Sequence, residues 1–183
     1  MSNRSTIADR LRRVCVVHCL AVALAGCASA PPATTPASLA PDANESLAMV
    51  VAAKGVQIYE CRAAKDAADK YEWIFVAPEA DLFDMAGRMI GRHGAGPNWQ
   101  ASDGSKVTGT VKARADAPVA GAIPWLLLRT SDAGPDGSFS RVTSIQRVNT
   151  VGGAMPAASC TRDTTGTTAR VAYTADYRFF TTR

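Results

Sequence analysis

The segment from Val171 to Phe179 places Val171, Tyr173, Ala175, Tyr177 and Phe179 on one side of an extended backbone, and Thr174, Asp176 and Arg178 on the other. Side chains alternate across a strand, so an apolar set held at period two over this length specifies a long strand with one face on a core. A helix would scatter the same residues around its axis. The rest of the chain must supply partners for this strand, and it reads the same way in shorter pieces. Val56, Ile58 and Glu60 alternate with Gln57, Tyr59 and Cys61. Tyr71 to Val76 is rich in aromatic and β-branched residues and meets Pro78, which suits a strand running into a turn. Leu82 to Ile90 and the residues from Trp99 onward form short segments separated by glycines. Lys106 to Ala113 sets Val107, Val111 and Ala113 on one face, with Gly109 between them as a bulge or a close-packing site. Ile123 to Leu128 is a continuous apolar run that fits a strand buried on both faces, and Arg141 to Asn149 completes a long-looped hairpin with it.

Two stretches are less decided. Asn44 to Ala53 reads equally as a short helix capped at Asn44 or as an edge strand, and the polar, alanine-rich Arg62 to Lys70 suits a surface turn of helix. Short strands at spacings of about ten residues, with frequent Gly and Pro, predict an all-β fold: a single-domain β-sandwich or a small open β-barrel over residues 44–183.

The amino terminus sets the compartment. Arg4, Arg10, Arg12 and Arg13 precede a mostly apolar run, Val14 to Leu24, that is too short for a permanent membrane helix. It ends in Leu24-Ala25-Gly26-Cys27, which resembles the bacterial lipobox, so residues 1–26 are expected to be a lipoprotein signal peptide and Cys27 the lipid attachment site. Ala28, where an Asp would favour retention at the inner membrane, points to the outer membrane with the domain facing the periplasm. Residues 27–43 then form a Pro/Ala-rich disordered linker.

Removing the leader changes the charge. Its four Arg and one Asp come out of 20 basic and 16 acidic residues, leaving 16 and 15, a net of +1. No basic patch interleaved with aromatics remains, so the electrostatic footprint of nucleic-acid binding is missing. Cys15 and Cys19 also leave with the signal, and Cys27 carries lipid. Cys61 and Cys160 allow one pairing, and an oxidising compartment favours a disulfide between them.

The polar chemistry concentrates between Gly91 and Ser105. His93, the sole histidine after the leader, is flanked by Gly91, Gly94 and Gly96, so the expectation is an exposed side chain on a tight loop. One histidine and two paired thiols exclude the usual zinc sites, and Asp103 and the Asp132 to Gly137 segment lack the ligand density of a calcium loop. No metal or cofactor is expected. The enzyme reading uses His93 as a base for Ser105 or Ser102, oriented by Asp103, although Asp103-Gly104-Ser105 reads first as a hairpin turn. The binding reading uses Trp99, next to Asn98 and Gln100, as an exposed platform for a glycan or other small molecule, with Trp73 as a further candidate and Trp125 in the core. Arg147, beside Gln146 and Asn149, reads as either a hydrogen-bonding core support or a ligand contact.

Five motifs together resemble a known exported family. They are Gly55-Val56-Gln57-Ile58-Tyr59-Glu60-Cys61; His93 with Gly96-Pro97-Asn98-Trp99 and Asp103-Gly104-Ser105; Ile123 to Leu128; Ile145 to Thr150 with Gly152-Gly153 and Cys160; and Tyr173 to Tyr177. In this order, over about residues 55–180, they resemble the family named domain of unknown function 3455. The resemblance implies one extracytoplasmic domain with both cysteines at family positions, and no catalytic assignment. The expectation is an envelope lipoprotein acting as a binding or structural module, with a hydrolase using His93 as the alternative.

Overall fold

The structure, a computed structural model, describes residues 34–183. The expected signal peptide, the expected lipid attachment site Cys27 and the first part of the expected linker lie outside the described residues. Eight strands follow one another: β1 (Glu45–Ala64), β2 (Ala67–Phe83), β3 (Met89–Gly94), β4 (Asn98–Ala101), β5 (Lys106–Ala115), β6 (Trp125–Asp132), β7 (Ser144–Gly152) and β8 (Thr168–Thr182). Each is hydrogen-bonded to the next, and β8 returns to β1, so the sheet closes on itself as a barrel. The all-β expectation holds, and of the two architectures it allowed the barrel is found, closed rather than open. An eight-stranded barrel has an interior just wide enough to be filled by side chains or to hold one small ligand.

The strand with the clearest period is β8. Tyr173, Ala175, Tyr177 and Phe179 all point inward and are buried. Its pairing with β1 runs from Glu45↔Thr182 to Glu60↔Thr168, which decides the Asn44 to Ala53 ambiguity for strand. The expected helical turn over Arg62 to Lys70 is instead the tip of the β1–β2 hairpin, strand on either side of a turn at Lys65 and Asp66. Arg62 pairs with Glu72 and Ala63 with Tyr71, so cross-strand pairing overrides the local preference of alanine. Nor does β2 stop before Pro78. Proline lacks a ladder N–H, but Pro78 pairs only with Gln57 of β1, because β3 joins β2 no earlier than Ala80.

The two ends of the barrel differ. At one end Val51, Leu82, Val107 and Ile145 fill the interior, and the β6–β7 loop folds Phe139 into it, with its ring 4.9 Å from that of Phe179. At the other end the filling is incomplete. The run Trp125 to Leu128 is buried on both faces, as expected, because residues outside the barrel cover it. The 3-10 turn Ala37–Leu39 lays Leu39 against Trp125, Leu127 and Val148 on the outer wall, and Gln146 donates to the Leu39 carbonyl. Asp42 and Glu45 then meet Arg129, Asp42 also meets Lys112, and Glu45 accepts from Ser144 Oγ at 2.9 Å. The packed body thus begins upstream of Asn44, inside the stretch expected to be spacer.

Candidate functional site: a cavity at the open end of the barrel

In an antiparallel barrel, the late residues of odd strands and the early residues of even strands meet at one end. Gln57 and Tyr59 of β1 and His93 of β3 are late residues and Trp99 of β4 is an early one, while Arg147 of β7 and Tyr177 of β8, paired with each other, lie nearer the middle of their strands. Together they line a cavity of about 780 Å³, within the range of small-molecule sites. His93 is not on an exposed loop. It sits inside β3 opposite Trp99 of β4, and it is 3% exposed. The glycine before it is there for close approach, since a Cβ at Gly91 would lie 2.3 Å from the Gln100 carbonyl oxygen. Only Gly96, at φ +81°, serves the β3–β4 turn as a turn glycine must.

The rings are packed in a fixed order. The His93 imidazole stacks on the Trp99 indole with centroids 4.3 Å apart, and Tyr177 meets both edge-on, at 5.2 and 5.4 Å. Gly109 makes this arrangement possible. A Cβ there would stand 2.8 Å from the Trp99 ring, so the close-packing reading of Gly109 holds. The bulge comes later, between Val111 and Ala113. It turns Ala113 toward the outer cluster, where Val107 and Val111 would otherwise have carried it inward.

Hydrogen bonds fix the polar groups. His93 Nδ1 lies 2.7 Å from the Asn98 carbonyl, which can only accept, so Nδ1 carries the proton and Nε2 is left as an acceptor. Burial away from water dominates its titration and holds its pKa down to about 4, against the opposing pull of that carbonyl. Burial likewise raises the phenols of Tyr59, Tyr173 and Tyr177. Tyr59 donates to the Gly153 carbonyl at 2.7 Å. Arg147 donates to the Pro124 carbonyl through Nε at 3.0 Å and Nη2 at 2.9 Å, so it supports the β5–β6 loop and lines the cavity at once. The hydrogen-bonding support expected of Arg147 is what these bonds supply.

The residues named for catalysis do not converge. Ser105 and Asp103 lie in the β4–β5 turn, toward the filled end. Ser105 Oγ donates to Asp103 Oδ1 at 2.6 Å and accepts from the Phe139 amide at 3.0 Å, while Asp103 Oδ2 accepts from the Ser138 amide and hydroxyl. Those hydroxyl bonds hold the Asp103 carboxyl well below the usual carboxylate range. This is a turn cross-linked to the β6–β7 loop, with both slots of the Ser105 hydroxyl in use. Trp73 and Trp125 are also elsewhere. Trp73 is half-buried and donates to the Ala158 carbonyl, and Trp125 lies on the outer wall beneath Leu39. Trp99 is inside and 1% exposed, so it is no surface platform. Among the described residues, no group of three or more His, Cys, Asp or Glu side chains is placed to hold a metal ion.

The mouth has its own character. β3 and β4 are six and four residues long beside a β2 of seventeen, and Gly96 and Pro97 of the turn between them border the cavity. Phe75, Val76, Val111, Val119 and Met155 line this opening, and all five are exposed. A disulfide between Cys61 and Cys160, with Cα atoms 5.5 Å apart, pins the β7–β8 loop to β1 at this end. The pairing expected from the cysteine count is therefore present.

Sequence reasoning singled out His93, Trp99 and Arg147, and the structure brings these together. It missed Gln57, Tyr59 and Tyr177 as site residues. The available signal was that Gln57 shares its strand face with Tyr59 and Cys61, a polar residue in an inward set. No curated protein and no solved structure matches this chain. The sequence model of one family matches residues 41–181, covering every strand that builds the cavity, and the chain therefore belongs to the family described as protein of unknown function DUF3455.

Proposed function

We propose that this domain is a binding module of the cell envelope whose barrel takes up one small, largely apolar molecule. The observation that carries this reading is the cavity of about 780 Å³ at one end of an otherwise filled barrel, with rings packed within and exposed apolar side chains at its opening. Apolar side chains left in water around a concave site cost free energy that a ligand recovers. Among the described residues no hydroxyl or thiol nucleophile is hydrogen-bonded to His93, whose Nδ1 is taken by a backbone carbonyl. That geometry favours binding over hydrolysis.

The test is titration with the neutral fluorescent probe N-phenyl-1-naphthylamine. Saturable binding at one site per chain, accompanied by a change in Trp99 emission that Trp99→Phe removes, is the expected result. Probe fluorescence that rises without saturating, or that Trp99→Phe leaves coupled to tryptophan emission, would defeat the reading. Anchoring through lipidated Cys27 belongs to the same proposal, supported by the lipobox-like Leu24 to Cys27. Cys27→Ser should move the protein from the membrane fraction to the soluble fraction of the exporting cell.

A further inference from the structure

The cavity contains a cation without a counter-charge. Arg147 has no carboxylate within 4 Å among the described residues, and its fixed partner is the neutral Pro124 carbonyl. That bond occupies Nε and one N–H of Nη2, and with the Tyr177 phenol taking at most one more, at least two N–H groups remain to donate. Its charge reaches the phenols of Tyr59, Tyr173 and Tyr177 and the imidazole of His93, which places it among the rings. The one carboxylate among the lining residues, Asp116, is exposed and lies two positions from Arg114.

A second observation is independent of that charge. Gln57 is 2% exposed, lines the same cavity, and its Nε2 has no hydrogen-bond partner. Trp99 Nε1 is likewise buried and unpartnered. A buried donor without an acceptor is costly, and such groups are rare in folded proteins. Gln57 Nε2 and Trp99 Nε1 are both donors and accompany a guanidinium, beside the open acceptor His93 Nε2. What would satisfy all three is an acceptor-rich, negatively charged group.

Resting on the binding function proposed above, we infer that the ligand is a lipophilic anion, an apolar or aromatic body carrying one carboxylate, sulfonate or similar head. The head is held by the Arg147 guanidinium and the Gln57 amide, and the body lies against Trp99 and the apolar mouth. Charge-assisted hydrogen bonds in a site shielded from water discriminate strongly between the charged ligand and its neutral analogue.

A matched pair of probes isolates this head group. N-phenyl-1-naphthylamine and 1-anilinonaphthalene-8-sulfonate share one ring skeleton and differ by the sulfonate. The native protein should bind the sulfonate at least tenfold more tightly than the neutral amine. Arg147→Leu should abolish that preference, Arg147→Lys should keep part of it, and Gln57→Leu should reduce it without removing the charge. The lysine and Gln57 variants test the proposal even where Arg147→Leu fails to fold. Equal binding of the two probes by the native protein, or a preference that survives in a folded Arg147→Leu protein, overturns the inference and leaves the binding function standing. Saturable binding of neither probe overturns both.

Discussion

The His93 imidazole lies flat against the Trp99 indole, its plane 13° from parallel, while its Nδ1 donates to the Asn98 carbonyl of the same β3–β4 hairpin. The ring is held neutral there because burial lowers its pKa to about 4. In the unfolded chain it titrates near 6.5. Between these values the unfolded state binds a proton that the folded state refuses, so the contribution is fully present above the unfolded pKa and declines as pH falls toward 4. The loss should total about 3 kcal/mol, at about 1.4 kcal/mol per pH unit. Urea unfolding across this range should show the slope in the native protein and lose it in His93→Gln. Asp103, whose carboxyl is held below its ordinary range, keeps its full contribution above that range and loses it only as pH falls further, so its window of loss lies below that of His93.

Gly109 should not tolerate a side chain. A methyl group there would meet Trp99 at 2.8 Å and the Leu128 side chain at 3.1 Å, both inside the packed interior. Gly109→Ala should therefore destabilise the barrel by about 1–3 kcal/mol, the usual cost of overpacking. Near-UV circular dichroism should change with it, since the indole must leave its stack on His93. An unchanged denaturation midpoint would show that Trp99 is loosely held.

The disulfide joins residues separated by 99 positions. Closing a loop of that length is worth about 4.7 kcal/mol in the chain-entropy model, as an upper figure. Replacing both Cys61 and Cys160 by Ser should lower the unfolding free energy by about 2–4 kcal/mol. It should also release the β7–β8 loop at the mouth, seen as faster amide exchange over residues 153–167 than over β8.

Ser105→Ala separates the turn from the cavity. It deletes the donor to Asp103 and strands the buried Phe139 amide, a loss of about 1–3 kcal/mol. Affinity for a probe in the cavity should be unchanged in the folded variant. A selective loss of binding at full stability would return Ser105 to the functional site.

The buried apolar residues were legible because they obey the ordinary rule. Tyr173 to Phe179 in β8 and Trp125 to Leu128 in β6 show apolar residues where the core lies, and period and run length sufficed. The open end was not legible for the opposite reason. Gln57, His93 and Arg147 are polar residues facing inward, so a reading that sends polar side chains to solvent assigns them to loops and surfaces. His93 was misplaced by its glycines: Gly91 is small because the neighbouring strand passes close, a fact of pairing rather than of turn chemistry. The closure of the sheet was likewise outside local pattern, because β1 and β8 look alike whether they pair with each other or with neighbours. Leu39 was read as spacer since its buried partners, Trp125, Leu127 and Val148, lie far along the chain.

The ladder between β1 and β8 also sets a schedule. Its contacts join positions more than a hundred residues apart, from Glu60↔Thr168 to Glu45↔Thr182. Such long-range pairing carries a heavy entropic toll before it returns any enthalpy, which places barrels among the slower folders. The cylinder cannot seal until the fifteen residues of β8 have arrived. A nascent chain therefore remains an open, pliable ribbon until that last strand is complete.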